Sequence, residues 1–299
     1  MGLSSGIYFI AANPLVSELF PDNVGAAIGV HGLSSQVAAV TVPLGISVVL
    51  IDGNWRSIFL IIAGIAATAT AALIWAARRT DLPEAGTADR SLGAATRAQW
   101  PTILTGIAFV GAAGFLWNGL FNLYGDYLTV AKAIDAETGR LMLSVMFAAG
   151  LPAFVVTGWL ADRVPNVPLL LIISSGFVVA VGGLTLVDGI AAIVAASLVI
   201  GYTFHSLLTA VDTYMLSSLP DRHRASAYAV FSAVMMGVQA FGSGVVGTAV
   251  AGGLAYTTVF QLLTVGVGAM LVLLFGLYRV GRLPAGGRTG PVPAPERAD

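Results

Sequence analysis

The chain has 299 residues, of which 57% are hydrophobic and 10% charged, with a mean hydropathy of +0.88. A soluble domain carries about 25% charged residues. The 14 basic and 15 acidic side chains present cannot cover the surface of a soluble protein of this size, so a soluble globular enzyme is excluded. A net charge of -1 offers no basic field to a nucleic acid. The absence of cysteine excludes disulfide scaffolds, thiolate metal sites and cysteine nucleophiles.

A membrane-spanning helix needs about 20 mostly apolar residues. Uncharged runs of that kind predict nine helices, at about 2–20, 24–51, 55–77, 100–125, 141–160, 167–187, 190–215, 225–250 and 256–278. The long run from 225 to 278 is divided at Gly252-Gly253. Strand-like alternation over about 10 residues, the mark of a membrane β-barrel, does not occur in these runs. The first segment has no basic start and contains Asn13-Pro14, so it reads as a helix of the protein and not as a signal peptide. Residues 78–99 form a polar linker, and residues 281–299, rich in Gly, Pro and Arg, are expected to be a disordered tail. Most basic residues, Arg78, Arg79, Arg163, Arg222 and Arg224 among them, fall in one set of loops and the tail. By the positive-inside rule that side and the C-terminus are cytoplasmic, in a multi-pass protein of the plasma membrane.

The chain also repeats itself. Phe20-Pro21-Asp22 closes the first helix and Leu219-Pro220-Asp221 closes the seventh. Trp55 through Phe59 opens the third helix, and Tyr256 through Phe260 opens the ninth. Anchors at a near-constant offset of about 200 residues make helices one to three a copy of helices seven to nine, the parallel repeat of some transporters. Helices four to six then lack counterparts, which are expected upstream of residue 1.

Several motifs carry a family resemblance. Gly158-Trp159-Leu160-Ala161-Asp162-Arg163 is similar to the G-x-L-a-D-R loop of the major facilitator superfamily, with Val164-Pro165-Asn166 replacing its basic second half. Asn54-Trp55-Arg56 through Phe59 resembles the start of that family's sixth helix, and Pro220 through Arg224 its turn after helix ten. Pro21 through Gly25 resembles the sister turn, with Val24 where an Arg is usual. The resemblance runs from the family's fourth helix to its twelfth. It implies an all-α integral membrane bundle: residues 1–77 as a partial N-terminal half of three helices, 78–99 as a cytoplasmic linker and 100–280 as a complete six-helix half. It also implies that Gly158, Asp162 and Arg163 form a structural gating loop, with Asp162 meeting a helix-end Arg or a helix N-terminus.

Polar side chains within a bilayer are costly and face a cavity or another helix. Tyr202, His205, Thr209 and Asp212 fall within one stripe of about 80° on the seventh helix. His205 and Asp212 are the candidate proton-coupling groups, since a histidine titrates near neutral pH. The same positions also suit a neutral interhelical hydrogen-bonder and a near-surface carboxylate. About 10 Å of helix rise separates the two, too far for a direct hydrogen bond. The fourth and seventh helices correspond to the family's cavity-lining seventh and tenth. The resemblance therefore makes Asn118, Asn122, Phe115 and Tyr202 substrate-binding candidates. Asn13 joins them because the 199-residue offset pairs it with Asp212.

Enzyme chemistry finds little support. Gly242-Ser243-Gly244 lacks the second spacer of a nucleophile elbow. No phosphate loop occurs, three histidines give no metal spacing, and no cofactor is implied. The expected function is secondary active transport of a small solute by alternating access, coupled to protons, in a monomer within the lipid bilayer. The alternative is a truncated, transport-inactive membrane protein that binds a small molecule or acts as a sensor.

Overall fold

A computed structural model describes residues 2–49, 55–81, 83, 91–284 and 286, without the side chains of residues 2–5 and 42–49. Its helices are α1 (Gly2–Leu19), α2 (Val24–Val49), α3 (Trp55–Ala77), α4 (Leu92–Lys132), α5 (Ala136–Ala161), α6 (Asn166–Leu186), α7 (Ile190–Ser218), α8 (Asp221–Ala240), α9 (Gly242–Ala251) and α10 (Tyr256–Arg279). No strand forms among the described residues. In hydrocarbon every backbone polar group must be satisfied within the protein, which an apolar helix does by itself. Among the described residues eight helices are long and apolar enough to cross a membrane, with α8 and α9 counted as one.

Several boundaries differ from the sequence reading, among them the starts of α5, at Ala136 and not near 141, and of α8, at Asp221 and not near 225. The fourth helix begins at Leu92, not near Trp100, because Ser91 caps it by accepting from the Ala94 amide at 3.2 Å. Its far end runs on to Lys132 and closes with Ala133 in the left-handed region, at φ 52°. The eighth expected span is interrupted at Phe241. Residues 281–284 and 286 turn back towards α6 and α7, with Tyr214 Oη donating to the Pro284 carbonyl at 3.2 Å. The rest of the expected tail, like most of the linker, lies outside the described residues.

The core sits among α4, α5, α6, α7, α8 and α10. Trp117 of α4 stacks on Phe204 of α7 at 4.2 Å between ring centroids, and Phe177 of α6 leans on the same Phe204. Hydroxyl pairs tie neighbouring helices: Tyr124 Oη with Ser197 Oγ at 2.6 Å, and Thr157 Oγ1 donating to Ser206 Oγ at 2.8 Å. At the end away from Asp162, Lys132 Nζ donates to the Val187 carbonyl at 2.7 Å and pairs with Asp188 at 3.1 Å. Asp135 caps α5 there, and its bonds from Thr138 and Glu137 hold its carboxyl below the usual carboxylate range.

Helices α1 and α2 join this bundle from one side. The second helix packs along α5 and against α7, while α1 meets α8, α2 and α7. The third helix has no buried residue and, among the described residues, makes a few contacts with α2. Arg56 stacks over Trp55 at one of its ends and Arg79 over Trp75 at the other, at 4.6 and 4.3 Å from the ring centroids.

Candidate functional site

The site starts at Pro14, inside α1. Pro14 removes one backbone donor from the helix interior, and Ser17 Oγ donates back to the Pro14 carbonyl at 2.6 Å. Asn13, one residue earlier, turns its side chain across to α7 and α8. Its Nδ2 donates to Tyr228 Oη at 2.6 Å and to Asp212 Oδ2 at 3.2 Å. Tyr228 Oη in turn donates to Asp212 Oδ1 at 2.8 Å. Asn13 and Asp212 each lie six residues before the end of their helix, at matching depth. The 199-residue offset read from the sequence is thus a direct contact.

This triad borders a cavity of about 180 Å³ between α1, α2, α7 and α8. Asn13, His31, Asp212, Tyr228 and Ser232 give it polar points, and Phe9, Phe154, Met235 and Met236 give it apolar wall. His31 Nε2 is 3.1 Å from Tyr8 Oη. Asn13 is 3% exposed, and its Oδ1 accepts no hydrogen bond among the described residues. A buried acceptor left unpaired costs on the order of 1–3 kcal/mol.

The other sequence candidates distribute differently. His205 is buried and its Nδ1 lies 2.6 Å from the Gly201 carbonyl, inside a box of Trp117, Phe147, Phe154 and Phe204. Phe154 separates it from the cavity, so the His205–Asp212 stripe serves two different environments. Phe115, Asn118, Asn122 and Tyr202 do not line the cavity. Asn122 is exposed, and its amide turns back to the Asn118 carbonyl at 2.8 Å and to Asn118 Oδ1 at 3.1 Å.

The Asp162 loop closes the end nearest the triad. Asp162 Oδ1 accepts from the Gly25 amide at 2.7 Å and Oδ2 from the Ala26 amide at 2.8 Å. The carboxylate so caps the α2 N-terminus, where free N–H groups and the helix dipole favour negative charge. Arg163 stacks over Trp159 at 4.1 Å and donates to the Trp159 carbonyl at 2.8 Å. Behind the cap α2 and α5 touch backbone to backbone. A Cβ added to Gly29 would land on the Phe154 carbonyl, one on Gly25 would crowd the Gly158 carbonyl, and one on Gly158 would meet Gly25. Farther along, Gln36 Nε2 donates to the Phe147 carbonyl at 2.6 Å. A half-buried ion pair adds to the closure, Glu18 of α1 with Arg224 of α8 at 4.0 Å.

Asp162→Ala is expected to lower stability by about 1–2 kcal/mol, the range of a lost charged N-cap. Thermal unfolding of detergent-purified protein measures it, and Asp162→Asn should keep part of the difference.

Residues that the sequence reading missed are Tyr228, Ser232 and the Gly25–Gly29 face. The glycine pair carried a readable signal, a small-xxx-small spacing that lets helices approach closely. Tyr228 carried none beyond a polar group one turn past Arg224.

Comparison with known proteins agrees with this architecture. The sequence pattern of the Major Facilitator Superfamily matches residues 1–243. The chain belongs to that superfamily. It is also 27% identical over 171 residues to "Uncharacterized transporter YycB" of Bacillus subtilis (strain 168), a stretch covering 55% of this chain. The chain spans 40% of the length of that relative. The superfamily match over residues 1–243 includes the α1–α2 pair, the Asp162 loop and the triad on α1, α7 and α8.

Proposed function

We propose that the protein is a secondary active transporter of a small solute, working by alternating access and driven by protons. The carrying observation is the Asn13–Tyr228–Asp212 triad, in which α1 from one side and α7 and α8 from the other share an intramembrane carboxylate. An intramembrane carboxylate held by neutral donors can exist charged or protonated, and each state favours a different contact between the two sides. Asp212 is the proton-bearing group in this reading, and His205, behind Phe154, is the second titratable group of the same helix. The two moving units are residues 1–77, a partial half, and 100–280, joined by 78–99. The Asp162 end and the tail face the cytoplasm of a monomer in the plasma membrane. Enzymatic chemistry has no part in this reading.

The chain has no cysteine, so introduced thiols report cleanly. Val24→Cys sits buried in the α2–α5 seam and Ser35→Cys lines the cavity. Labelling of the two by a membrane-impermeant maleimide is expected to change in opposite directions, severalfold, between mildly acidic and mildly alkaline buffer. If both rise or fall together, or neither changes, alternating access is wrong.

A further inference from the structure

The cavity beside Asp212 presents acceptors and no fixed positive charge. The Asp212 carboxylate is held by Tyr228 and Asn13, both neutral, and no Lys or Arg pairs with it among the described residues. Next to it the Oδ1 of Asn13 is buried without a donor. Two acceptors, on α1 and α7, so border one space. The other titratable groups facing it are His31 from α2 and Tyr228 from α8; α4 and α5 bring Val110 and Phe154, and α6 brings no side chain to the lining.

A ligand complementary to these walls has three properties. It carries positive charge, because a carboxylate within a membrane is stabilised by a counter-charge. It carries N–H donors, because Asn13 Oδ1 lacks one. Its body is apolar, because Phe9 and Phe154 offer ring faces that attract cations and Met235 and Met236 adapt to irregular shapes. An anion would meet repulsion, a neutral solute would leave the carboxylate uncompensated, and a quaternary ammonium would leave Asn13 Oδ1 unpaired.

We infer that the cavity binds a protonated primary or secondary amine with a small apolar body, its ammonium held between Asp212 and Asn13 Oδ1. The inference rests on the carrier reading of the same cavity and names its substrate class. One carboxylate then serves ammonium and proton in turn, which makes the exchange an antiport.

The test is equilibrium dialysis of the purified chain with radiolabelled 2-phenylethylammonium. Competitors are its N,N,N-trimethyl derivative, 2-phenylethanol and 3-phenylpropanoate. Saturable binding is expected, with the quaternary and neutral analogues at least about tenfold weaker and the anion without effect. Asp212→Asn should weaken binding at least about tenfold, Asp212→Glu should restore part of it, and Asn13→Leu should weaken it severalfold while the preference for charge remains. The inference falls if monodisperse, cooperatively melting protein shows no saturable binding. It also falls if anion or quaternary analogue competes as well as the amine, or if Asp212→Asn binds like the parent. Dialysis requires no change of access. Failed binding with reciprocal thiol labelling intact therefore removes the amine and leaves the carrier. Amine binding without reciprocal labelling keeps the amine site on a protein that does not cycle.

Discussion

Asp212→Asn is expected to abolish the pH dependence of thiol labelling at Val24→Cys and Ser35→Cys. In transport assays it should abolish gradient-driven flux while leaving substrate exchange partly intact. The amide keeps the shape of the carboxylate, so the cavity walls persist. It cannot gain or lose the proton. Exchange needs only reorientation of the loaded carrier, whereas net driven flux needs the unloaded carrier to carry or release a proton. A residue that merely packs would lower expression and every activity together. His205→Gln is the companion measurement: its Nδ1 contact is to the carbonyl of its own helix, and its walls are aromatic. If both variants keep parental pH dependence in labelling and flux, neither group carries the coupling proton.

The second large effect belongs to the α2–α5 seam. Gly29→Leu is expected to hold the Asp162 end apart. The atom in the way is the backbone oxygen of Phe154, which cannot rotate aside as a side chain would. Forcing extra volume into a close contact costs about 1–3 kcal/mol. At about 1.4 kcal/mol per tenfold, this shifts the balance between closed and open ends by roughly tenfold. Cysteines placed at Val24 and Ala161, which border the same small pocket at this end, should cross-link readily in the parent and about tenfold less in the Gly29→Leu background. Equal cross-linking would mean that the glycine contact is not what permits closure. Gly6→Leu, which meets no neighbouring atom, is the control.

Much of this fold was legible because hydropathy reports membrane helices directly. Helix ends were less so. The uncharged run places a helix start near Trp100, yet the helix has begun at Leu92 and carries Pro101 inside it, beyond the Ser91 cap. The interruption at Phe241 leaves no charge or proline in the sequence and appears only in the backbone. Asn13 and Asp212 were paired in the sequence by their 199-residue offset, and a hydrogen bond joins the two. Asn118 and Asn122 were not legible, because spacing gives a shared face but not what the face meets, and one amide satisfies the other. Tyr228 was hidden for a similar reason. A tyrosine on a helix has an apolar body, and only the third dimension places its hydroxyl between an amide and a carboxylate.

The bare third helix has a consequence for how the protein senses its surroundings. Trp55 and Trp75 lie twenty residues apart, about 30 Å along a helix, which equals the hydrocarbon thickness of a typical bilayer. Each is exposed and covered by an arginine, the pairing expected where a helix leaves the acyl chains for the headgroups. With no side chain of α3 buried among the described residues, these two anchors bear on its inclination. In a thinner bilayer α3 tilts, and in a thicker one its ends draw lipid inward, at fractions of a kcal/mol per ångström of mismatch. The helices that carry the cavity, α1, α2, α7 and α8, pack on one another instead. A change in membrane thickness therefore acts first on the angle between α3 and α2.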